Sequence, residues 1–234
     1  EGKCGQKYSA KWRNIAAGIR RKRCNLKKGG INMLSREEAA KRAVIVMHYQ
    51  NDIVDANGLY NHAGVYAQVE KNNTMETVKN MLEEARAAGI QVIYINNIFS
   101  KGYPELGQNN LPICEASRET NSFVEGSWGV ENPEIIKPHE EDIVITNTNT
   151  SAFSYTTLDQ VLRAKGIDKL YLAGVATNFV VDSTARYGSE LGYHIYIIED
   201  CCESFTDEMH EFAIEKILPK FAVITNSKEM KAEY

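Results

Sequence analysis

Short apolar runs rich in β-branched residues alternate with longer helix-patterned stretches from Lys41 to the end of the chain. A chain ordered this way builds βαβ units, because a strand needs a crossover before the next can pair with it in parallel. The runs at residues 43–47, 91–97, 142–146, 169–173, 194–199 and 221–225 are too short and too β-rich for helices. Their near-continuous apolar character suits strands buried on both faces. The fold class predicted is α/β, a three-layer sandwich around a central parallel sheet of about six strands.

Helices are expected between these strands. Residues 69–88 place Val78, Met81, Leu82 and Ala85 at helical spacing and end at Gly89, a natural residue to close a helix. Further helices over 157–164, 178–191 and 207–218 stop at Gly166, Gly192 and Pro219. The stretch 99–138 joins two strands and contains prolines together with Gly126 and Gly129. It reads as a loop-rich excursion with a turn of helix, of the kind that covers a site. An open parallel sheet binds ligands outside the carboxyl ends of its strands, where the strand order reverses. The residues expected there are His48 to Asp52, Asn96 and Asn97, Asn147 to Asn149, and Gly174 to Asn178.

With 234 residues, 43% apolar and 25% charged, the chain has the composition of a water-soluble globular domain whose core needs no staples. No apolar run approaches the ~20 residues of a membrane span, and the opening segment lacks the apolar centre of a secretory signal, so a cytoplasmic location is expected. Five cysteines, two of them adjacent at Cys201 and Cys202, show neither paired nor zinc-site spacing and read as reduced thiols.

Residues 1–32 carry ten Lys/Arg against one Glu, a net +9 that leaves −13 on the rest of a chain whose total is −4. They end in Lys28-Gly29-Gly30-Ile31-Asn32 before Met33, a string whose codons can hold a bacterial ribosome-binding sequence and spacer. The expectation is a disordered or non-native basic extension over 1–32, natural initiation at Met33, and a folded α/β domain over 33–234. The alternative is a basic arm for nucleic acid or anionic membrane, built on Arg20-Arg21-Lys22-Arg23.

Four segments carry a family resemblance: Val46-Met47-His48-Tyr49-Gln50-Asn51-Asp52, Glu125-Gly126-Ser127-Trp128-Gly129, Ser151-Ala152-Phe153 and Gly174-Val175-Ala176-Thr177-Asn178. In order and spacing they resemble the isochorismatase-like (cysteine hydrolase) family. The last is the most specific, continued by Thr184-Ala185-Arg186 and Leu191-Gly192-Tyr193. The resemblance implies a Rossmann-type topology, self-association as a homo-oligomer, and often a cis peptide at Val175-Ala176. It also implies a catalytic triad, and this chain departs from all three members. Where the family usually has an Asp serving as base or acid stands His48, where it has a Lys stands Asn147, and where it has the nucleophilic Cys stands Val180.

An isopropyl group cannot attack a carbonyl, so Val180 closes the thiol route to amide hydrolysis. Neutral Asn147 removes the positive charge that would favour a thiolate. Imidazole titrates near about 6.5 when unperturbed, which suits His48 as acid or base in vinyl-ether cleavage or in C–N hydrolysis without a thiol. Gln50, Asn51, Asn97 and Asn178 are candidate contacts to a small polar substrate, with Ala176 and Thr177 beside them and Trp128 and Phe153 as candidate walls. Main-chain N–H groups around Val180, at a helix start, form a candidate anion site.

Each feature has a structural reading too. His48 and Asp52 suit capping of local backbone, Trp128 and Phe153 suit packing, and Cys114, Cys201 and Cys202 suit inert buried thiols. No metal is expected: His62, His139, His194 and His210 lack ligand spacing, and where nicotinamidases carry a metal-binding Asp and His this chain has Asn96, Asn97 and Phe99. No cofactor is expected, since neither common glycine-rich phosphate loop occurs. The expected activity is hydrolysis of a small polar molecule by a divergent mechanism through His48. The alternative is a catalytically inactive member that binds a small molecule or a protein, and neither nucleic acid nor membrane is expected as a partner.

Overall fold

A computed structural model describes residues 34–231; the basic segment 1–32 and Met33 lie outside the described residues. The strands are β1 (Arg42–Met47), β2 (Gln91–Asn97), β3 (Ile143–Asn147), β4 (Lys169–Val175), β5 (His194–Glu203) and β6 (Val223–Thr225). They form one sheet in the order β3-β2-β1-β4-β5-β6, with every neighbouring pair parallel. The helices in chain order are α1 (Arg36–Ala40), α2 (Asn51–Val54), α3 (Val65–Lys71), α4 (Thr74–Ala87), α5 (Pro112–Thr120), α6 (Leu158–Lys165), α7 (Asp182–Glu190), α8 (Asp207–Phe212) and α9 (Ser227–Lys231).

Strand side chains alternate between faces, so each central strand feeds two cores. Val44 and Val46 of β1 with Val92 and Tyr94 of β2 enter one, packed against Val78, Met81 and Leu82 of α4. Ala43, Ile45 and Met47 with Ile93 and Ile95 enter the other, packed against Leu158 and Leu162 of α6 and Ala185 of α7. The chain therefore leaves β1 toward one face of the sheet and leaves β4 toward the opposite face. Each fully buried Leu or Met contributes roughly 1.5–3 kcal/mol, which is ample to hold the three layers together.

Four elements differ from the sequence expectation. The helix expected over 69–88 is two helices, α3 and α4, broken at Asn72 and Asn73, with Asn73 left-handed at φ 51. The break is held by Glu203, a buried carboxylate whose Oε1 accepts from Thr74 Oγ1 at 2.6 Å and Asn72 Nδ2 at 3.0 Å. Strand β5 runs to Glu203 instead of Glu199, because an irregularity between Leu172 and Gly174 of β4 lets the chain bulge and resume pairing at Cys202. The helices expected over 178–191 and 207–218 each contain a wide turn, at Thr177–Val181 and Ala213–Ile217.

The excursion between β2 and β3 folds back over the strand ends. Phe99 N–H donates to Phe123 O at 2.8 Å, and Glu125 N–H donates to Phe99 O at 2.9 Å. Its anchor is Asp52, buried in α2, whose carboxylate accepts the N–H groups of Phe123 at 2.7 Å and Leu59 at 3.2 Å. Gly129 lies against the same carboxylate, so closely that a Cβ there would come within 2.2 Å of it. Gly129→Ala should therefore displace the loop or the carboxylate and cost about 1–3 kcal/mol or more in urea unfolding, whereas exposed Glu125→Ala should stay within about 0.5 kcal/mol. Equal effects of the two would show that the contact carries no stability.

Candidate functional site

At the carboxyl ends of β1 and β4, where the strand order turns around, a cavity of about 520 Å³ opens. Its floor includes His48, Val175, Ala176 and Val180, and its cover comes from the β2–β3 excursion through Phe99, Leu106, Ile113, Cys114 and Phe123. The excursion thus covers a cavity, as its composition suggested.

His48 follows β1 in a left-handed conformation (φ 60), with its N–H donated to Ile95 O at 2.9 Å. Its ring is buried, and Nε2 lies 3.1 Å from Asn147 Oδ1. Asn147 is fixed in turn, its Nδ2 donating to Asn149 O at 2.7 Å and Ser151 O at 3.3 Å, which turns the carbonyl oxygen toward the histidine. An acceptor facing Nε2 assigns the proton to that nitrogen and leaves the lone pair on Nδ1. Burial lowers the His48 pKa to about 4, against a smaller upward effect of the Asn147 bond, so the ring is neutral at neutral pH.

The polar residues expected around the crevice divide sharply. Asn97 lines the cavity, and its Oδ1 is buried without a protein partner. Gln50 does not line the cavity: its Nε2 donates to Asn97 O at 2.9 Å and Val130 O at 3.0 Å, and its Oε1 accepts from Asn97 N at 2.7 Å. Asn51 likewise donates to Trp128 O at 2.9 Å. These two amides position Asn97 and the excursion through the backbone. Asn178 Oδ1 accepts from Ser204 Oγ at 2.5 Å, and Thr177 Oγ1 pairs with His210 Nδ1 at 2.9 Å, outside the lining. Trp128 is exposed away from the cavity, and Phe153 is buried in the second core between Tyr187 and Tyr193, with ring centroids 5.8 and 5.7 Å away.

The peptide between Val175 and Ala176 is cis, as the resemblance implied. Around Val180, however, the N–H groups of Phe179, Val180 and Val181 all turn onto Ala176 O, at 3.2, 2.8 and 3.4 Å, and are not offered to the cavity. The anion site expected from those three groups is therefore closed by the wide turn at the helix start.

The Isochorismatase domain model matches residues 42–229. The chain belongs to the isochorismatase family. Within it, the ureidoacrylate amidohydrolase RutB of Acinetobacter baylyi is 31% identical over 198 residues, covering 80% of each chain. Its counterpart from Caulobacter vibrioides is 32% identical over 204 residues, covering 82% of this chain and 90% of that one. Among solved structures, a cysteine hydrolase from Pseudomonas syringae superposes with a TM-score of 0.70 at 21% identity, covering 83% of this chain and 92% of that one, which speaks to the fold.

The three positions expected from the resemblance to hold a triad, 48, 147 and 180, lie at the cavity, with His48 and Val180 in the lining and Asn147 hydrogen-bonded to His48. Cys201 and Cys202 do not line the cavity; both are buried, on opposite faces of the sheet, and burial pushes both thiols up. The thiol that does line it is Cys114 of α5. Sequence reasoning passed over Cys114, Tyr60, Phe123, Phe179 and Phe205 as lining residues, because they lie on connections whose path the strand pattern does not define. Among the described residues, no group of three or more His, Cys, Asp or Glu side chains gathers to hold a metal, and no helix is long and apolar enough to cross a membrane.

The depressed His48 pKa links stability to pH. Between about pH 6.5 and about pH 4 the unfolded histidine binds a proton that the folded one does not, so stability falls as pH drops through that window. Its full effect is on the order of 3 kcal/mol, and above the window it contributes nothing. Denaturant unfolding near neutral pH and near pH 4 should show a smaller acid loss for His48→Gln than for the wild type; identical losses would assign the effect to other groups.

Proposed function

We propose that this isochorismatase-family hydrolase cleaves a C–N bond with activated water instead of a thiol, and that His48 is the base. The observation that carries the reading is the buried His48–Asn147 pair at the cavity floor, with a neutral imidazole whose lone pair lies on Nδ1. In this route Nδ1 takes a proton from water, hydroxide adds to the substrate carbonyl, and the C–N bond breaks as the amine leaves with the proton. Asn147 Oδ1 stabilises the imidazolium through Nε2–H, though less than a carboxylate would, because it carries no full charge. The ureidoacrylate relatives support a C–N bond as the target. A neutral histidine also suits this role better than protonation of a vinyl-ether carbon, which needs an acid loaded at neutral pH.

A second reading, a catalytically silent binding module, is favoured by Val180, since a cavity is present while the position expected for the nucleophile holds an inert side chain. Self-association belongs to the same set of proposals and has physical support in the edge strand β3, which leaves Val144 half exposed.

The test is turnover of amides and ureides, ureidoacrylate included. His48→Gln should lower kcat/KM about a hundredfold or more. For the wild type, kcat/KM should rise as pH increases through about 4 and then hold level to neutrality, because the base works only when deprotonated. Loss of activity in Cys114→Ser with retention in His48→Gln would overturn the non-thiol route. Saturable binding without any turnover would select the second reading.

A further inference from the structure

The turn Thr177–Val181 supplies Phe179 and Val180 to the cavity wall, directly after Ala176. Its backbone is weakly determined. The N–H groups of Phe179, Val180 and Val181 converge on the single carbonyl of Ala176 at 3.2, 2.8 and 3.4 Å, and a carbonyl oxygen has only two lone pairs for them. What holds the turn comes from residues 203–210, at the end of β5 and in α8. Ser204 Oγ donates to Asn178 Oδ1 at 2.5 Å, Phe205 meets Phe179 with ring centroids 5.1 Å apart, and Thr177 Oγ1 lies 2.9 Å from His210 Nδ1. This run is itself fixed: Glu203 is bonded to Asn72 and Thr74, and Thr206 Oγ1 accepts the N–H of Met209 at 3.3 Å to cap α8. Thr177 is fully buried, and among the described residues the partner of its hydroxyl is His210. A hydroxyl has one hydrogen to place. Donating it to a lone pair on Nδ1 leaves nothing unpaired, whereas accepting from Nδ1–H would strand it. The bond therefore sets the His210 proton on Nε2.

We infer that His210 is a positioning residue, which through Thr177 holds the Thr177–Val181 turn, and with it Phe179 and Val180, in place at the cavity wall. Ser204 and Phe205 hold the next two residues of the turn, so the segment after β5 acts as a three-point clip on it. Neither His210 nor Ser204 lines the cavity, and both act on it from behind. Loss of the His210 acceptor leaves a hydroxyl buried without a partner, which favours a turn that has moved to reach water or another acceptor. The inference concerns the wall and not the reaction, so it stands or falls apart from any turnover.

Amide hydrogen exchange of the full chain at neutral pH, read residue by residue by NMR, tests it. In His210→Leu the amides of Phe179, Val180 and Val181 should exchange at least about tenfold faster relative to Val44 and Ile45 of β1, which report opening of the whole sheet. His210→Asn, whose Oδ1 can stand where Nδ1 stands and accept the hydroxyl, should return that ratio to within about threefold of the wild type, a rescue that filling of space alone would not give. Thr177→Val should match His210→Leu, and the double variant should add less than about twofold, because both remove one bond. Nitrogen chemical shifts of the His210 ring in the unaltered protein should place its proton on Nε2, a reading that needs no variant to fold. A ring protonated on Nδ1, turn amides no faster than those of β1 in His210→Leu, or equal exchange in His210→Leu and His210→Asn would overturn the inference.

Discussion

The neighbouring pair β1 and β4 governs everything at the functional end of this molecule. Their side-by-side register, Arg42–Met47 against Lys169–Gly174, leaves two chains emerging from adjacent strand ends. The one after β1 goes to the face covered by α3 and α4, and the one after β4 goes to the face covered by α7. Right-handed crossovers on opposite faces cannot close the gap between such strands, so a crevice follows from topology before any side chain is chosen. His48, directly after β1, and Val180, in the turn after β4, both line it.

Around that crevice stands a set of polar groups with unequal duties. Gln50 and Asn51 spend their amides on backbone carbonyls, Asp52 collects two N–H groups from the covering excursion, and Glu203 ties the α3–α4 joint. These buried groups are each satisfied, which is why they tolerate loss of water. His48, Asn147 and Asn97 form the remainder, and among them only neutral groups meet the cavity. Among the described residues no Lys or Arg lines the cavity, so neutral Asn147 behind His48 and apolar Val180 in the wall supply no charge that would stabilise a thiolate there.

The strands and the layer order were legible in the sequence because burial on both faces leaves a continuous apolar signature, as at β1, β2 and β4. The α3–α4 break was not legible: Asn72 and Asn73 sit within a good helical pattern, and the carboxylate that holds the break, Glu203, is 131 positions from Asn72 in sequence. The extension of β5 past Glu199 and Asp200 was hidden for a related reason. Charged residues argue against a buried strand, yet Asp200 is spent capping α9 through Ser227 N at 2.8 Å. At the site, the motifs located the right strand ends, but an amide in a motif does not declare whether it faces backbone or ligand. Gln50 and Asn97 look alike in sequence, and the first holds the second in place.

A buried acceptor without a donor and a cavity of about 520 Å³ both lower stability relative to a filled, fully paired core. Asn97 Oδ1 could be satisfied by a neighbouring Ser or Thr, and the cavity could be filled by larger side chains, with the fold unchanged. Gln50, Asn51, Asp52 and Glu203 all find partners, whereas Asn97 Oδ1 and, away from the cavity, Gln68 Oε1 are buried without one. The open cavity at the carboxyl ends of β1 and β4 is therefore a place where the fold carries a cost in stability that an occupant returns on binding.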